Sequence, residues 1–204
     1  MGTLLDISRP LSPATAVWPG DRAVEWHWTA RKGEEMAVNV GAIATSTHAG
    51  THADAPLHVR DDGEAIDGVP LAPFVGPADV IAVDAPVIRP GHLPDACAPR
   101  LLFQTRHSAV PHDTWDPDLA PIHPDTIEAL SERDVVLVGT DAPSVDPVDS
   151  TILPAHHALI RAGIVNLENL ALKHVPPGRY ELMALPLRIT GADAAPVRAV
   201  LRVS

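Results

Sequence analysis

Short apolar runs bounded by Pro, Gly or Asp recur along the chain, and they predict strands more often than helices. Alternating apolar and polar positions predict a strand over residues 24–29, with Trp26 and Trp28 on one face and packed in the core. We predict further strands over residues 36–47, 80–83, 101–105, 135–138 and 182–187. The 22 prolines in 204 residues agree with short elements, because proline fixes φ and lacks a backbone donor.

Helical signals occur in two places. Pro124, with Asp125 and Glu128 in the first turn, predicts a helix that ends near Arg133. A second, shorter helix is predicted over residues 156–162, and Gly163 would end it. Strands therefore outnumber helices, which predicts a mixed α/β fold with a largely β core. The length and the lack of repeats or linkers predict a single domain over residues 1–204.

Charge and composition exclude several kinds of partner. A net charge of -11 without basic runs argues against nucleic-acid and anionic-membrane surfaces. No apolar run approaches the roughly 18 residues needed to cross a bilayer, so we expect no membrane partner. Cys97 is the single cysteine, which excludes an internal disulfide and predicts a reducing, cytoplasmic location.

One short segment concentrates three imidazoles and a carboxylate: His48, His52, Asp54 and His58. Such ligands suit Zn²⁺ or Mn²⁺ in a catalytic site, and the lack of cysteine argues against a closed structural zinc. His48 and His52 would share a face in a helical turn, whereas Asp54 joins them through a bend that Gly50 and Pro56 favour. Spacing alone leaves open the alternative of scattered surface histidines.

The string HAGTHADAPLH at residues 48–58 resembles the signature of the bacterial kynurenine formamidases, a cyclase-like family of metal-dependent hydrolases. The resemblance continues through DIS, WPGD, GTDAPSVDP, LPAHH, YEL, LPL and GADAAPVR, and so spans nearly the whole chain. It implies a swivelling β/β/α fold and a homodimer. It also implies hydrolysis of an aromatic formamide, N-formyl-L-kynurenine, to L-kynurenine and formate in tryptophan degradation.

The same resemblance implies two divalent ions per chain, usually Zn²⁺, with Mn²⁺ or another divalent ion as alternatives. The ligands it implies are His48, His52, Asp54, His156 and Glu168. The first three would hold one ion and His156 the second, with Asp54 reaching the second ion and Glu168 bridging both. Spacing does not separate His156 from His157, since adjacent helical residues point about 100° apart, and the resemblance favours His156.

Two further roles come from the resemblance. His58 would transfer protons, and Trp18 would contact the aromatic ring of the substrate. For Trp18 the alternative is a structural role in its Trp-Pro-Gly turn, and Glu168 by itself has the pattern of an exposed residue. Histidines without ligand-like neighbours are expected to be structural or exposed, namely His27, His92, His107, His112, His123 and His174.

Two other functions remain open at this point. A related amide hydrolase, such as one that opens isatin, would use a similar set of metal ligands. A metal-binding module without catalysis is the other alternative, but it leaves His58 without a role. A serine hydrolase is disfavoured, because the sequence around Ser144 lacks the Gly-x-Ser-x-Gly elbow.

Overall fold

The computed structural model describes residues 2–34 and 36–203, which form eleven strands and two α-helices. The strands are β1 (Leu4–Asp6), β2 (Glu25–Ala30), β3 (Val40–Ala44), β4 (His52–Asp54), β5 (Val75–Ala82), β6 (Arg100–Gln104), β7 (Leu137–Thr140), β8 (Val165–Glu168), β9 (Gly178–Met183), β10 (Ala194–Pro196) and β11 (Val200–Arg202). The helices are α1 (Pro124–Ser131) and α2 (Pro154–Ala162).

Nine of the described strands join one mixed sheet in the order β1-β11-β9-β5-β6-β7-β8-β4-β10. The four central strands β5, β6, β7 and β8 are parallel, and the strands on both sides of them are antiparallel. The fold is mostly β with few helices, which confirms the predicted fold class. Strands from both ends of the chain meet in this sheet, so residues far apart in sequence become neighbours.

The central strands send alternate side chains into two apolar cores, as the two-residue period of a strand requires. On β6, Leu102 lies in the core that also holds Ile7 and Leu201 from the chain ends. Its neighbour Phe103 lies in the other core, where it meets Leu159 of α2 and buried side chains of α1. The two helices therefore cover one face of the sheet.

The two tryptophans of β2 lie outside both cores, and the prediction that they are buried is wrong. Trp26 is 45% and Trp28 is 39% exposed. Among the described strands, β2 pairs with β3 alone in a two-stranded sheet, so the larger sheet does not bury their shared face. The two rings contact each other with centroids 4.7 Å apart, and Arg31 lies 4.5 Å from the ring of Trp28. Alternation predicted the shared face correctly but not what covers it.

The predicted helices lie close to the observed ones, and Gly163 ends α2 with φ of 66°. The predicted strands all overlap observed strands, with shifted ends. Five strands of three or four residues were missed: β1, β4, β8, β10 and β11. Such short strands have too few positions to show an alternating pattern. In the described part of the chain, no helix has the length and apolar character to cross a membrane.

Candidate active site

The candidate metal ligands are built on the adjacent antiparallel strands β4 and β8. In their register His52 lies opposite Glu168, and Ala53 lies opposite Leu167. Ala53 and Leu167 enter an apolar core, so the alternating side chains of His52, Asp54 and Glu168 lie on the other face. The Nε2 atom of His52 is 3.4 Å from Asp54 Oδ1 and 3.4 Å from Glu168 Oε2.

Helix α2 adds His156 to the same cluster. Its Nε2 atom lies 3.4 Å from Asp54 Oδ2 and 3.4 Å from Glu168 Oε1. His157 is half-buried and lines neither of the two cavities that border the cluster. Asp146 fixes the start of the helix, since its carboxylate accepts the backbone N–H groups of Ala155 and His156 at 2.9 and 3.0 Å.

A tight turn before β4 brings in His48. Gly50 has φ of 63° in this turn, and a Cβ atom there would lie 2.7 Å from the side chain of Leu11. His48 Nδ1 is 3.1 Å from Asp54 Oδ1, and its Nε2 is 3.0 Å from Asp193 Oδ2. Since His52 is in a strand, the helical-turn alternative for His48 and His52 is wrong, whereas the bend at Gly50 is present.

The cluster contains buried atoms that lack a hydrogen-bond partner among the described residues: His52 Nε2, Asp54 Oδ1 and His156 Nε2. Leaving such an atom unpaired costs about 1–3 kcal/mol. Nδ1 of His52 donates to Gly50 O at 2.9 Å, and Nδ1 of His156 is 2.7 Å from Asp146 Oδ2. These partners orient both rings with Nε2 toward the carboxylates. The set of imidazole and carboxylate donors fits a divalent metal ion.

The electrostatics of the cluster favour positive charge between its carboxylates. Burial raises the pKa of Asp54, but the neighbouring imidazoles of His156, His48 and His52 outweigh it and hold the pKa well below its usual range. The pKa of Glu168 is lowered against burial for the same kind of reason. Burial opposes protonation of His52, yet its two carboxylate neighbours raise its pKa to about 10. Both carboxylates are therefore ionised near neutral pH, as metal ligands must be.

His58 follows β4 on a short 3₁₀ turn and is half-buried beside the cluster. Its ring centroid is 4.2 Å from that of His48 and 5.5 Å from that of His156, and its Nδ1 is 3.6 Å from Asp193 Oδ2. Burial lowers the pKa of His58, and the charges of His48 and His156 add to this effect against the opposing charge of Asp54. A neutral imidazole can accept a proton near neutral pH.

Among the described residues, donor atoms within 4.8 Å of one another form three sets with metal-ligand character: His48, His52 and Asp54; Asp54, His58 and His156; and His48, His58 and Asp193. The first set is the group that the sequence predicted for one ion. His58 belongs to the other two sets, so these distances permit either a ligand role or a proton-transfer role for it.

A cavity of about 450 Å³ opens onto the cluster, and Trp18 lines it. Trp115, which no sequence motif indicates, packs edge-on against Trp18 with ring centroids 5.0 Å apart and an angle of 74°. His107 and His112, which were expected only to be structural or exposed, also line this cavity. Trp115 lies outside every motif named above, and its sequence context carried no signal for this position.

Three residues that support the cluster were also missed. Asp146 and Asp193 stand inside motifs of the resemblance, which is the signal that could have identified them. Asn166 precedes Glu168 by two residues, the spacing of one face of a strand. Its Nδ2 donates to Asp54 Oδ2 at 2.7 Å and to Glu168 Oε1 at 3.3 Å.

Comparison with known families decides the relationship. The family described as putative cyclase matches residues 5–147. The chain belongs to this cyclase family. The matched range contains the segment from His48 to His58 and also Asp146, while His156 and Glu168 lie beyond it.

One relative is similar to this chain both within the range of the family match and beyond it. The kynurenine formamidase of Salinibacter ruber is 62% identical over 205 residues, which cover 98% of this chain and 97% of that protein. The similarity therefore includes His156 and Glu168 as well as the residues within the family match.

Two solved structures share the cyclase fold. One is described as a potential metal-dependent hydrolase with cyclase activity; it has a TM-score of 0.83 and 28% identity, with 98% of each chain covered. The other is an isatin hydrolase bound to the product analogue thioisatinate, with a TM-score of 0.81, 22% identity and coverage of 98% of this chain and 92% of that chain. At that identity the second likeness shows the fold alone.

Proposed function

We propose that this chain hydrolyses N-formyl-L-kynurenine to L-kynurenine and formate, a step in tryptophan degradation. The observation that carries the proposal is a buried cluster with unpaired nitrogen and oxygen atoms, open to a cavity that tryptophans line. The 62% identity to a kynurenine formamidase supports this choice of substrate. The reaction needs an activated water molecule, a charge-stabilising group near the formyl oxygen and a proton donor for the aniline nitrogen.

The proposed cofactor is a pair of divalent ions, Zn²⁺ in the first place, with Mn²⁺ or another divalent ion as alternatives. The proposed ligands are His48, His52, Asp54, His156 and Glu168, with Asp54 and Glu168 shared between the ions. When bound, such ions lower the pKa of water and polarise the formyl oxygen. Asn166 supports the arrangement because its amide holds both shared carboxylates in place.

The chain's own residues supply the proton transfer. We assign it to His58, which lies beside the ligands and whose lowered pKa leaves it neutral and able to accept a proton from water. The protonated ring then donates to the departing aniline nitrogen. Asp193, 3.6 Å from His58 Nδ1, is suited to orient the ring and to stabilise its charged form.

The proposed substrate contact is the aromatic wall formed by Trp18 and Trp115. Their edge-on packing holds both rings in the cavity wall, where they can contact the substrate's aromatic ring. Such aromatic contacts contribute about 0.5–1.5 kcal/mol beyond simple burial. A ring held there would direct the formamide toward the cluster.

Turnover of N-formyl-kynurenine before and after chelation tests the proposal. The purified protein is expected to hydrolyse the substrate, to lose activity on chelation and to recover it when Zn²⁺ is restored. Elemental analysis is expected to find two ions per chain. Metal-loaded protein that fails to turn over this substrate would contradict the proposed function. A metal content limited to one ion per chain would contradict the proposed second metal site.

Isatin is the second candidate substrate, because the isatin hydrolase fold matches this one at a TM-score of 0.81. Ring opening of isatin is also hydrolysis of an aryl amide, so the same cluster could serve it. Faster opening of isatin than cleavage of N-formyl-kynurenine would overturn the preferred substrate. A metal-binding module without catalysis would bind the ions and turn over neither compound.

We further propose that the whole chain acts as one hydrolase domain, in the cytoplasm, as a homodimer. The exposed tryptophans of β2, together with Ile43 of β3 at 59% exposure, support a second copy as the partner. Large apolar side chains gathered on one hairpin are typical of a protein interface. Sedimentation of the purified chain tests the dimer, and substitution of Ile43 by Glu is expected to favour monomers.

A further inference from the structure

Arg9 is the one arginine or lysine that lines the 450 Å³ cavity in the described part of the chain. Several carboxylates line the same cavity, among them Asp21, Asp116 and Asp193. A negatively charged group of a ligand would therefore be repelled by most of the charged side chains around it. Among the described residues that line the cavity away from the candidate metal ligands, Arg9 is the single arginine or lysine that could bind such a group.

The guanidinium of Arg9 donates to backbone carbonyls of the protein. Its Nη1 lies 3.4 Å from Val110 O, and its Nη2 lies 3.5 Å from His107 O and 3.1 Å from Asp141 O. Its buried Nε has no hydrogen-bond partner among the described residues. None of the ion pairs found among those residues includes Arg9. Burial lowers the pKa of Arg9, and the charge of Asp141 opposes this effect. An arginine keeps its charge in such surroundings, so this cation retains unused hydrogen-bond donors.

The carboxylate of Asp141, whose charge acts on Arg9, is already engaged elsewhere. Asp141 accepts the backbone N–H of Thr105 at 2.7 Å, the hydroxyl of Thr105 at 2.6 Å and the hydroxyl of Ser108 at 2.5 Å. Its negative charge favours the nearby guanidinium, but its side-chain oxygens do not contact it. Arg9 is thus held close to a carboxylate without being neutralised by direct contact.

His107 lies beside Arg9 and is 2% exposed. Its Nδ1 is buried and has no hydrogen-bond partner among the described residues. Burial lowers the pKa of His107, and the charge of Arg9 adds to this, which favours a neutral ring. A neutral imidazole has one N–H donor, and the cavity wall therefore offers a second donor beside the guanidinium.

We propose that Arg9, assisted by His107, binds the α-carboxylate of the substrate and so selects formamides that carry an amino-acid group. The inference rests on the proposed function, in which the metals and the tryptophans leave the amino-acid end of the substrate without a contact. N-formyl-kynurenine has its formamide on the ring and its carboxylate at the end of a side chain. The fork of arginine donors matches a carboxylate in two parallel hydrogen bonds.

A hydrogen bond from the backbone of Arg9 supports this role. The backbone N–H of Arg9 donates to Thr51 Oγ1 at 2.8 Å, and Thr51 directly precedes the candidate ligand His52. The arginine backbone is thereby fixed relative to the cluster. Isatin carries no carboxylate, so a site that depends on Arg9 would favour N-formyl-kynurenine over isatin.

The test compares two substrates in the variants Arg9→Gln and Arg9→Lys. One substrate is N-formyl-kynurenine, and the other is 2′-formamidoacetophenone, which keeps the formamide, ring and ketone but lacks the amino-acid group. Arg9→Gln is expected to raise KM for N-formyl-kynurenine by about 10- to 100-fold, with little change for the truncated substrate. Arg9→Lys is expected to recover part of this loss. Arg198→Gln, with a side chain 77% exposed, is the matched control.

Equal increases for both substrates, or none for either, would overturn the inference and leave Arg9 with a structural role. If Arg9→Gln does not fold, Arg9→Lys decides by the same comparison of substrates. If the metal-loaded wild type cleaves neither substrate, the proposed function has failed. Calorimetry with kynurenine and 2′-aminoacetophenone then tests the carboxylate contact through binding alone. If Arg9→Gln weakens the binding of kynurenine but not that of 2′-aminoacetophenone, the result would support the carboxylate contact. Unchanged selectivity between these two ligands would refute it.

Discussion

The metal cluster and the aromatic wall line the same cavity but are built from different parts of the molecule. Most of the cluster stands on β4, β8 and α2, where its donors are buried: His52 is 1%, Glu168 3% and His156 5% exposed. The wall comes from irregular segments near Trp18 and Trp115, and both tryptophans are only half-buried. One region thus sits on the sheet and its covering helix, and the other sits on loops.

The supporting contacts differ in the same sense. In the cluster, His52, His156 and Glu168 each have a second partner that fixes their orientation, from Gly50 O, Asp146 and Val145 N. Trp18 has an aromatic neighbour instead, which allows small adjustments of the ring. Chemistry needs donors held to a fraction of an ångström, whereas recognition of a flat ring tolerates more freedom. Substitutions in the cluster should therefore have larger effects than substitutions in the wall.

The largest effect is expected from His52→Ala, which removes a donor from the base of the cluster. The variant should lose its metal, and with it turnover should fall to the limit of detection, because in the proposed mechanism bound ions would activate the water. Elemental analysis and a turnover assay measure the two losses. His27→Ala, on the exposed β2, is the control. Full metal content in the His52 variant would remove this residue from the ligand set.

His58→Ala should come next. If His58 transfers protons, the variant should keep its metal and lose about 10²- to 10⁴-fold in turnover. His174→Ala, at an exposed position, controls for general effects of losing a histidine. A metal-depleted His58 variant would instead make this residue a ligand, as the distances to Asp54 and His156 allow.

Asp146→Asn tests whether a residue that orients a candidate ligand also affects metal affinity, as the comparison of the cluster with the wall predicts. The carboxylate fixes the proton on Nδ1 of His156, so its loss should weaken metal binding by about 10- to 100-fold. Titration against a chelating dye measures the affinity. Asp125→Asn, at the exposed start of α1, is the matched change. Unchanged affinity with a lowered melting temperature would limit Asp146 to capping α2.

Trp18→Ala should have the smallest effect of the four. Loss of the ring contact should raise KM for aryl formamides by about 2- to 13-fold, with little change for small aliphatic formamides. Trp115→Ala should act in the same direction, because Trp115 supports Trp18. Steady-state kinetics on both substrate classes measures the effect. Equal losses on both classes would show that Trp18 supports the fold and would weaken the distinction between cluster and wall.

Parts of the site could be predicted from the sequence because its residues share one short segment. His48, His52, Asp54 and His58 stand within eleven positions, and the structure brings them together. Glu168 was the opposite case, since its neighbours gave it the pattern of an exposed residue, yet it is 3% exposed. The family resemblance named it as a ligand, and the pairing of β8 with β4, which puts it opposite His52, supplies the physical reason.

The sequence by itself determined the class of fold, the positions of both helices, the group of candidate metal ligands and the resemblance to a hydrolase family. These features depend on local patterns: apolar periodicity, helix-start and helix-stop residues, and ligand types at close spacing. Each can be recognised without knowing which distant segments become neighbours.

The tertiary structure decided everything that depends on long-range pairing. It placed Trp115 against Trp18 and Arg9 in the cavity wall, and it left Trp26 exposed. Strand order and loop packing set these contacts, and no local pattern records which elements pair across a hundred residues. Burial and partner identity are properties of the assembled sheet, which is why Asn166 and Trp115 were recognised beside the site only in the folded chain.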